Sequence, residues 1–232
     1  MEDLWKAGDG DIRPSRAAYN ASLNALSKSG TDNYARGDES LLRRMEELFR
    51  SGDNGYGDMR PDAISYTSVM NAGEGCGSRA ERRRAWKILR HMRDLEDNIN
   101  ATAGPDTVAY NTALNAWYLC GEERAIQRAE QLLHVMEAQC KGGEKSSNPD
   151  VYSYKTLLTM HTNNGRMEMV HRAQQYLNAP ENGYSHGYST MNPNLEFYQV
   201  YAAAWERDGA VEKAEDVRRR LAALNHNADN NR

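Results

Sequence analysis

Hydrophobic positions along this chain recur at helical spacing, in paired short runs divided by a glycine. Within residues 105–138, Tyr110, Ala113, Leu114 and Trp117 fall at i, i+3, i+4 and i+7; after a break at Gly121, Ala129, Leu132, Leu133 and Met136 repeat the spacing. Each set lies on one face of an α-helix, so the stretch predicts two amphipathic helices back to back. Neither helix can bury its stripe alone, and the pair needs neighbours.

The neighbours are copies. A proline opens an equivalent stretch at Pro14, Pro61, Pro105, Pro149 and Pro193, with separations of 47, 44, 44 and 44 residues. Five residues after each stands Tyr19, Tyr66, Tyr110, Tyr154 or Tyr198, and sixteen after stands Gly30, Gly77, Gly121, Gly165 or Gly209. The second runs keep register too: Ala85, Ala129 and Ala173; Leu89, Leu133 and Leu177; Met45, Met92 and Met136. A period of this size is the mark of a solenoid of stacked two-helix units. The expected organisation is residues 1–13 as the tail of a preceding repeat, 14–224 as five repeats, and 225–232 as a disordered tail without periodicity.

Copy by copy, the first predicts a helix over 16–29 with Tyr19, Leu23 and Leu26 inward, a polar loop over 31–40, and a second helix over 41–50. The second has Tyr66, Val69 and Met70 in its first helix and Ala85, Trp86, Leu89 and Met92 inward in its second. Gly73, Gly75 and Gly77 between them read as a helix-to-helix turn. A phosphate cradle is disfavoured there, because no strand precedes and no Lys-Ser/Thr follows. Arg82, Arg83 and Arg84 are expected on the solvated side, with a phosphate contact as the alternative. The fourth copy has Tyr154, Leu157 and Leu158, then Ala173, Tyr176 and Leu177, with 178–192 loop-like. The fifth has Tyr198, Tyr201 and Trp205, then Ala214, Val217 and Leu221.

Composition narrows the function classes. The 232 residues carry 29 basic and 33 acidic side chains, a net charge of −4, which argues against a broad non-specific nucleic-acid binder but not against a local positive groove. Cys76, Cys120 and Cys140 form no CxxC pair, so a zinc ribbon or deaminase metal site is not expected, and the count suits a reducing compartment. The histidines (His91, His134, His161, His171, His186 and His226) are scattered, without metal-ligand spacing or a nucleophile beside them, so neither a metal, a cofactor, a small-molecule substrate nor catalysis is expected. No run of about 18 apolar residues reads as a membrane span.

The opening Pro-Asp-x-Val/Ile-x-Tyr-Asn/Thr, the glycine ending the first helix and the Ala/Met-bearing second helix resemble the pentatricopeptide repeat, best over residues 105–136. The resemblance covers nearly the whole chain. The period departs from it: the family unit is about 35 residues, and the additions here fall after the repeat glycine and in the second helix or connection. Tetratricopeptide repeats, the nearest rival, place Trp and Gly early in the first helix; here the early aromatic is tyrosine and the glycine closes the helix.

The resemblance implies an all-α, right-handed solenoid that binds single-stranded RNA, one base per repeat, without catalysis. It implies base-reading pairs at the residue six after each proline and the residue directly after the next: Asn20 with Asp62, Thr67 with Asp106, Asn111 with Asp150, and Lys155 with Asn194. In the family Asn with Asp favours U and Thr with Asp favours G, so the implied reading is U-G-U, while the fourth pair is off pattern. Base-sandwiching positions, three after the proline, are Ala17, Ile64, Val108 and Tyr152; Glu196 in the fifth copy would repel phosphate and suits a cap. Lys28 and Arg207 match a position that often contacts phosphate. The family also implies a mitochondrial or plastid setting, with any targeting segment upstream. The residues alone support a simpler account. Ser15, Asp62, Asp106, Asp150 and Asn194 are good helix N-caps, and capping and reading are compatible. The alternative function is a helical-repeat scaffold for protein partners.

Overall fold

The computed structural model describes residues 15–28, 32–51, 59–71, 79–98, 104–119, 123–141, 147–163, 170–171 and 195–230. Among them the ordered elements are all α-helical: α1 (Arg16–Ser27), α2 (Asp32–Ser51), α3 (Ala63–Asn71), α4 (Arg79–Asn98), α5 (Thr107–Tyr118), α6 (Glu123–Lys141), α7 (Val151–Asn163), α8 (Leu195–Arg207) and α9 (Val211–Asn230). First helices are α1, α3, α5, α7 and α8; the longer α2, α4, α6 and α9 are second helices. The chain divides into two compact units, Met1–Cys120 and Gly121–Arg232.

In the first unit α1, α3 and α5 pack side by side, with α2 against α1 and α3, and α4 against α3 and α5. In the second unit α7 packs on α6 and α8, and α8 on α9. The recurring positions make the cores. Tyr19, Tyr66, Tyr110, Tyr154 and Tyr198 are all buried, as are Met45, Met92, Met136, Ala85, Ala129, Leu89 and Leu133. Recurrence at these sites therefore reports packing. Leu26, Trp86, Trp117 and Leu221, also expected inward, are half-buried.

The helix starts follow from local chemistry. Ser15 accepts a hydrogen bond from the Ala18 amide at 3.2 Å, and Asp106 from the Ala109 amide at 2.8 Å. Asp62 and Asp150 cap reciprocally. Each carboxylate accepts from the amide three residues on (Ser65 at 3.0 Å, Ser153 at 2.9 Å), and each Asp amide donates to that serine's hydroxyl, at 3.2 and 3.1 Å. This is a capping box with serine in the place of glutamate. At the end of α8, Gly209 adopts φ 76°, its amide donates to Glu206 O at 3.0 Å, and the Ala210 amide reaches back to Trp205 O at 3.0 Å. The repeat glycine thus serves there as the left-handed residue of a Schellman stop. Its counterparts in the other four copies lie outside the described residues, as do the Gly73–Gly77 turn, Ala173, Tyr176, Leu177, and residues 1–13 and 178–192.

Three expectations are corrected. Residues 32–40, expected as loop, are the start of α2. Residues 225–230, expected as a disordered tail, continue α9. Neither stretch contains proline, and apolar periodicity reports a buried face, not helicity, so a polar helix escapes it. Arg82, expected in solvent, is buried at 7% exposure, with its guanidinium 5.4 Å from the Trp117 ring centre. A guanidinium can be buried against an indole face where an ammonium could not as readily. Arg83 is exposed as expected, and Arg84 pairs with Glu39 at 3.0 Å.

Candidate functional site

The opening turns of the first helices place three kinds of side chain by simple helical geometry. The fourth helical residue is the repeat tyrosine, turned into the core. The second helical residue lies two steps, roughly 200°, away and must face out. The fifth lies three steps beyond the second and shares its side of the helix. Accordingly Ile64, Val108 and Tyr152 stand 62%, 58% and 43% exposed, and Ala17 is exposed, while the tyrosines beside them are buried. Three large apolar side chains thus stand largely in solvent at one register position.

At the first reader pair the structure brings both residues together across two repeats. Asn20 Nδ2 donates to Asp62 Oδ1 at 3.2 Å and lies 3.4 Å from Oδ2. The Ser65 hydroxyl donates to Asn20 Oδ1 at 2.6 Å, and the Arg16 guanidinium lies 3.4 Å from Asp62 Oδ2. A primary amide has two N–H groups and two lone pairs on its oxygen. One N–H goes to Asp62 and one lone pair to Ser65. That leaves a donor and an acceptor on one fixed planar group.

The other predicted residues are less uniform. Thr67 is buried at 8% exposure, and its hydroxyl donates to the Ala63 carbonyl at 2.6 Å, so what it retains is acceptor capacity. Asp106 is occupied as the cap of α5. Asn111 on α5 is half-buried, and Asp150 caps α7 in the other unit. Lys155 forms an ion pair with Glu196 at 2.8 Å and lies 5.2 Å from the Tyr152 ring centre. Asn194 lies outside the described residues. Lys28 is exposed at the C-cap of α1. Arg207 donates to the Thr162 carbonyl at 2.7 Å, satisfying one of the last backbone acceptors of α7, so its guanidinium is already engaged.

Sequence reasoning missed the residues that fix this site from behind. Ser65 and Ser153 were legible only as Asp-x-x-Ser, a pattern that Asp106 with Ala109 lacks. Two repeat tyrosines also bond a glutamate on a preceding second helix: Tyr66 to Glu46 at 3.1 Å and Tyr154 to Glu137 at 3.0 Å. Both glutamates directly follow the repeat methionine. Glu46 further contacts His91 Nε2 at 2.8 Å and Arg50 at 3.1 Å. Burial works to raise the Glu46 carboxyl, but the His91 hydrogen bond and charge, the Tyr66 hydroxyl and Arg50 together hold it below its usual range. The bond to Glu46 raises His91 against the opposing effect of burial. Burial, then the Glu46 charge, raises Tyr66. His161, 0% exposed, has Nε2 3.0 Å from Glu130.

Among the described residues no cluster of three or more His, Cys, Asp or Glu side chains could hold a metal ion, and no helix is long and apolar enough to cross a membrane. No known protein family's profile matches this sequence, and no curated protein matches it. Among solved structures, the chain is similar to the crystal structure of the pentatricopeptide repeat protein PPR10 from maize. The identity is 19% over 93% of this chain and 25% of that one, with a TM-score of 0.48. This chain spans a quarter of the maize protein's length.

Proposed function

We propose that residues 14–224 form five pentatricopeptide-like repeats that bind single-stranded RNA by sequence, one base per repeat, without catalysis. The observation that carries this reading is the contact of Asn20 with Asp62, made across two repeats by the first pair the motif nominates. The spare N–H and lone pair on Asn20 can answer the N3–H and O4 of a uracil, which are exposed on an unpaired base edge. The acceptor left on Thr67 suits a base that offers N–H, as guanine does through its N2 amino group. Exposed Ile64, Val108 and Tyr152 supply apolar faces against which splayed bases can pack. The implied reading is U-G-U for the first three repeats, with an organellar role in RNA processing, stability or translation. The test is titration of labelled single-stranded RNA with and without UGU. The expected result is preference for UGU that weakens in Asn111→Ala and Asp150→Ala. Equal binding of both RNAs would overturn the base reading, and no RNA binding at low salt, with a protein partner recovered instead, would favour the scaffold alternative.

A further inference from the structure

The first unit carries a second polar feature that shares no residue with its opening turns. An open groove of about 420 Å³ runs between α2 and α4, over Val69 of α3. Its floor is closed. Leu42, Val69 and Ile88, at most 9% exposed, form it.

The walls are charged and unbalanced. Four Arg and Lys side chains line them against two glutamates. Both carboxylates are engaged: Glu39 with Arg84 at 3.0 Å, and Glu46 with His91 at 2.8 Å and Arg50 at 3.1 Å. Arg43 on α2, and Arg83 and Lys87 one turn apart on α4, are exposed, and among the described residues no third carboxylate lines the groove. They stand on opposing walls. In a chain of net charge −4 this is a local excess of positive charge. Guanidinium groups on two sides can each present a planar fork to phosphate oxygens, and the ammonium adds a point charge. Forked cations on both walls match the closely repeated charges of a phosphate backbone.

We propose that this groove binds the phosphate backbone of an RNA strand regardless of base sequence. The proposal rests on the RNA reading above and adds a contact that reading lacks. It supplies the electrostatic part of affinity that the neutral Asn20 site cannot.

The test uses the full chain and the triple variant Arg43→Ala, Arg83→Ala, Lys87→Ala, with circular dichroism to check folding and the single charge reversal Arg83→Glu as a second variant. Oligoadenylate and a UGU-containing oligonucleotide are titrated between about 50 and 200 mM salt. Both RNAs should lose affinity by the same factor. The slope of log affinity against log salt should fall by about 0.7 for each cation removed, and the ratio between the two RNAs should hold. Unchanged affinity and slope overturn the proposal, as does loss confined to the UGU strand, or polyglutamate protecting the groove where RNA does not. Absence of UGU preference with the slope change intact would instead sink the base reading and leave the groove standing.

Discussion

In the first unit Asn20, the fifth residue of α1, is held by Asp62; in the second Lys155, at the same place in α7, is held by Glu196. The helical register is the same, but the consequences differ. Asn20 keeps a donor and an acceptor after its bonds to Asp62 and Ser65, so it is both fixed and able to recognise. Lys155 has no acceptor at all, and its charge is met by a carboxylate that stands where another repeat would put a base-packing side chain. Arg207 is likewise engaged by a backbone carbonyl within the second unit. Register decides where a side chain points, and residue type decides whether anything is left for a ligand. At Asn20 a donor and an acceptor are left, and at Lys155 the side chain is closed on Glu196.

The comparison can be sharpened first through the tyrosine–glutamate bonds, where the largest effect is expected. Tyr154→Phe removes a hydrogen bond to a buried glutamate and should cost about 1.5–3 kcal/mol of stability in denaturant unfolding. Tyr66→Phe should cost less, because Glu46 is half-buried whereas Glu137 is buried. Equal losses would mean that the two sites are equivalent after all. Next, Ile64→Ser with Val108→Ser should leave stability nearly unchanged, since both side chains are exposed, and weaken RNA binding by about 1 kcal/mol per base. Weakened folding with intact RNA binding would assign them to packing.

Smaller effects test the closed turn and the ion pair. Glu196→Ala frees Lys155 and removes a repelling charge, so the salt slope of RNA binding should steepen by about 0.7. No change would show that Lys155 is not restrained by this pair. The smallest effect is in pH. His91 is raised from 6.5, so its stabilising contribution is complete below about 6.5 and lost as pH rises through the folded value. Glu46 is lowered from 4.5, so its contribution is complete above about 4.5 and lost as pH falls through its folded value. The pair therefore contributes most between those limits. Because His91 is 42% exposed in its side chain, screening should hold the difference below about 1 kcal/mol. Thermal melts of His91→Ala against wild type should lose that dependence.

Much of the fold was legible because burial recurs. Tyrosine, methionine, alanine and leucine stand at fixed places in successive copies, and among the described residues all but the half-buried flanking ones pack as their spacing implies. The caps were legible because Pro-Asp at a helix start has a direct physical meaning. The pairings of Tyr66 and Tyr154 were not, because their glutamates come from other helices 20 and 17 residues away, and only packing brings them together. Arg82 was misjudged because charge in a sequence says nothing about an indole waiting beside it. The polar start of α2 was missed because its helicity leaves no apolar stripe. At the site, positions were legible and occupancy was not. Whether a donor is spent on Ala63, Glu196 or Thr162 depends on neighbours that the motif does not specify.

The most direct measurement is a code swap at Asn20, whose contact with Asp62 is in place. Asn20→Thr in the full chain should move the preferred first base from U to G, with UGU losing to GGU in competition and the other positions unaffected. Binding that ignores the first base in both proteins, or a variant that keeps its preference for UGU, would contradict the claim that Asn20 and Asp62 read RNA.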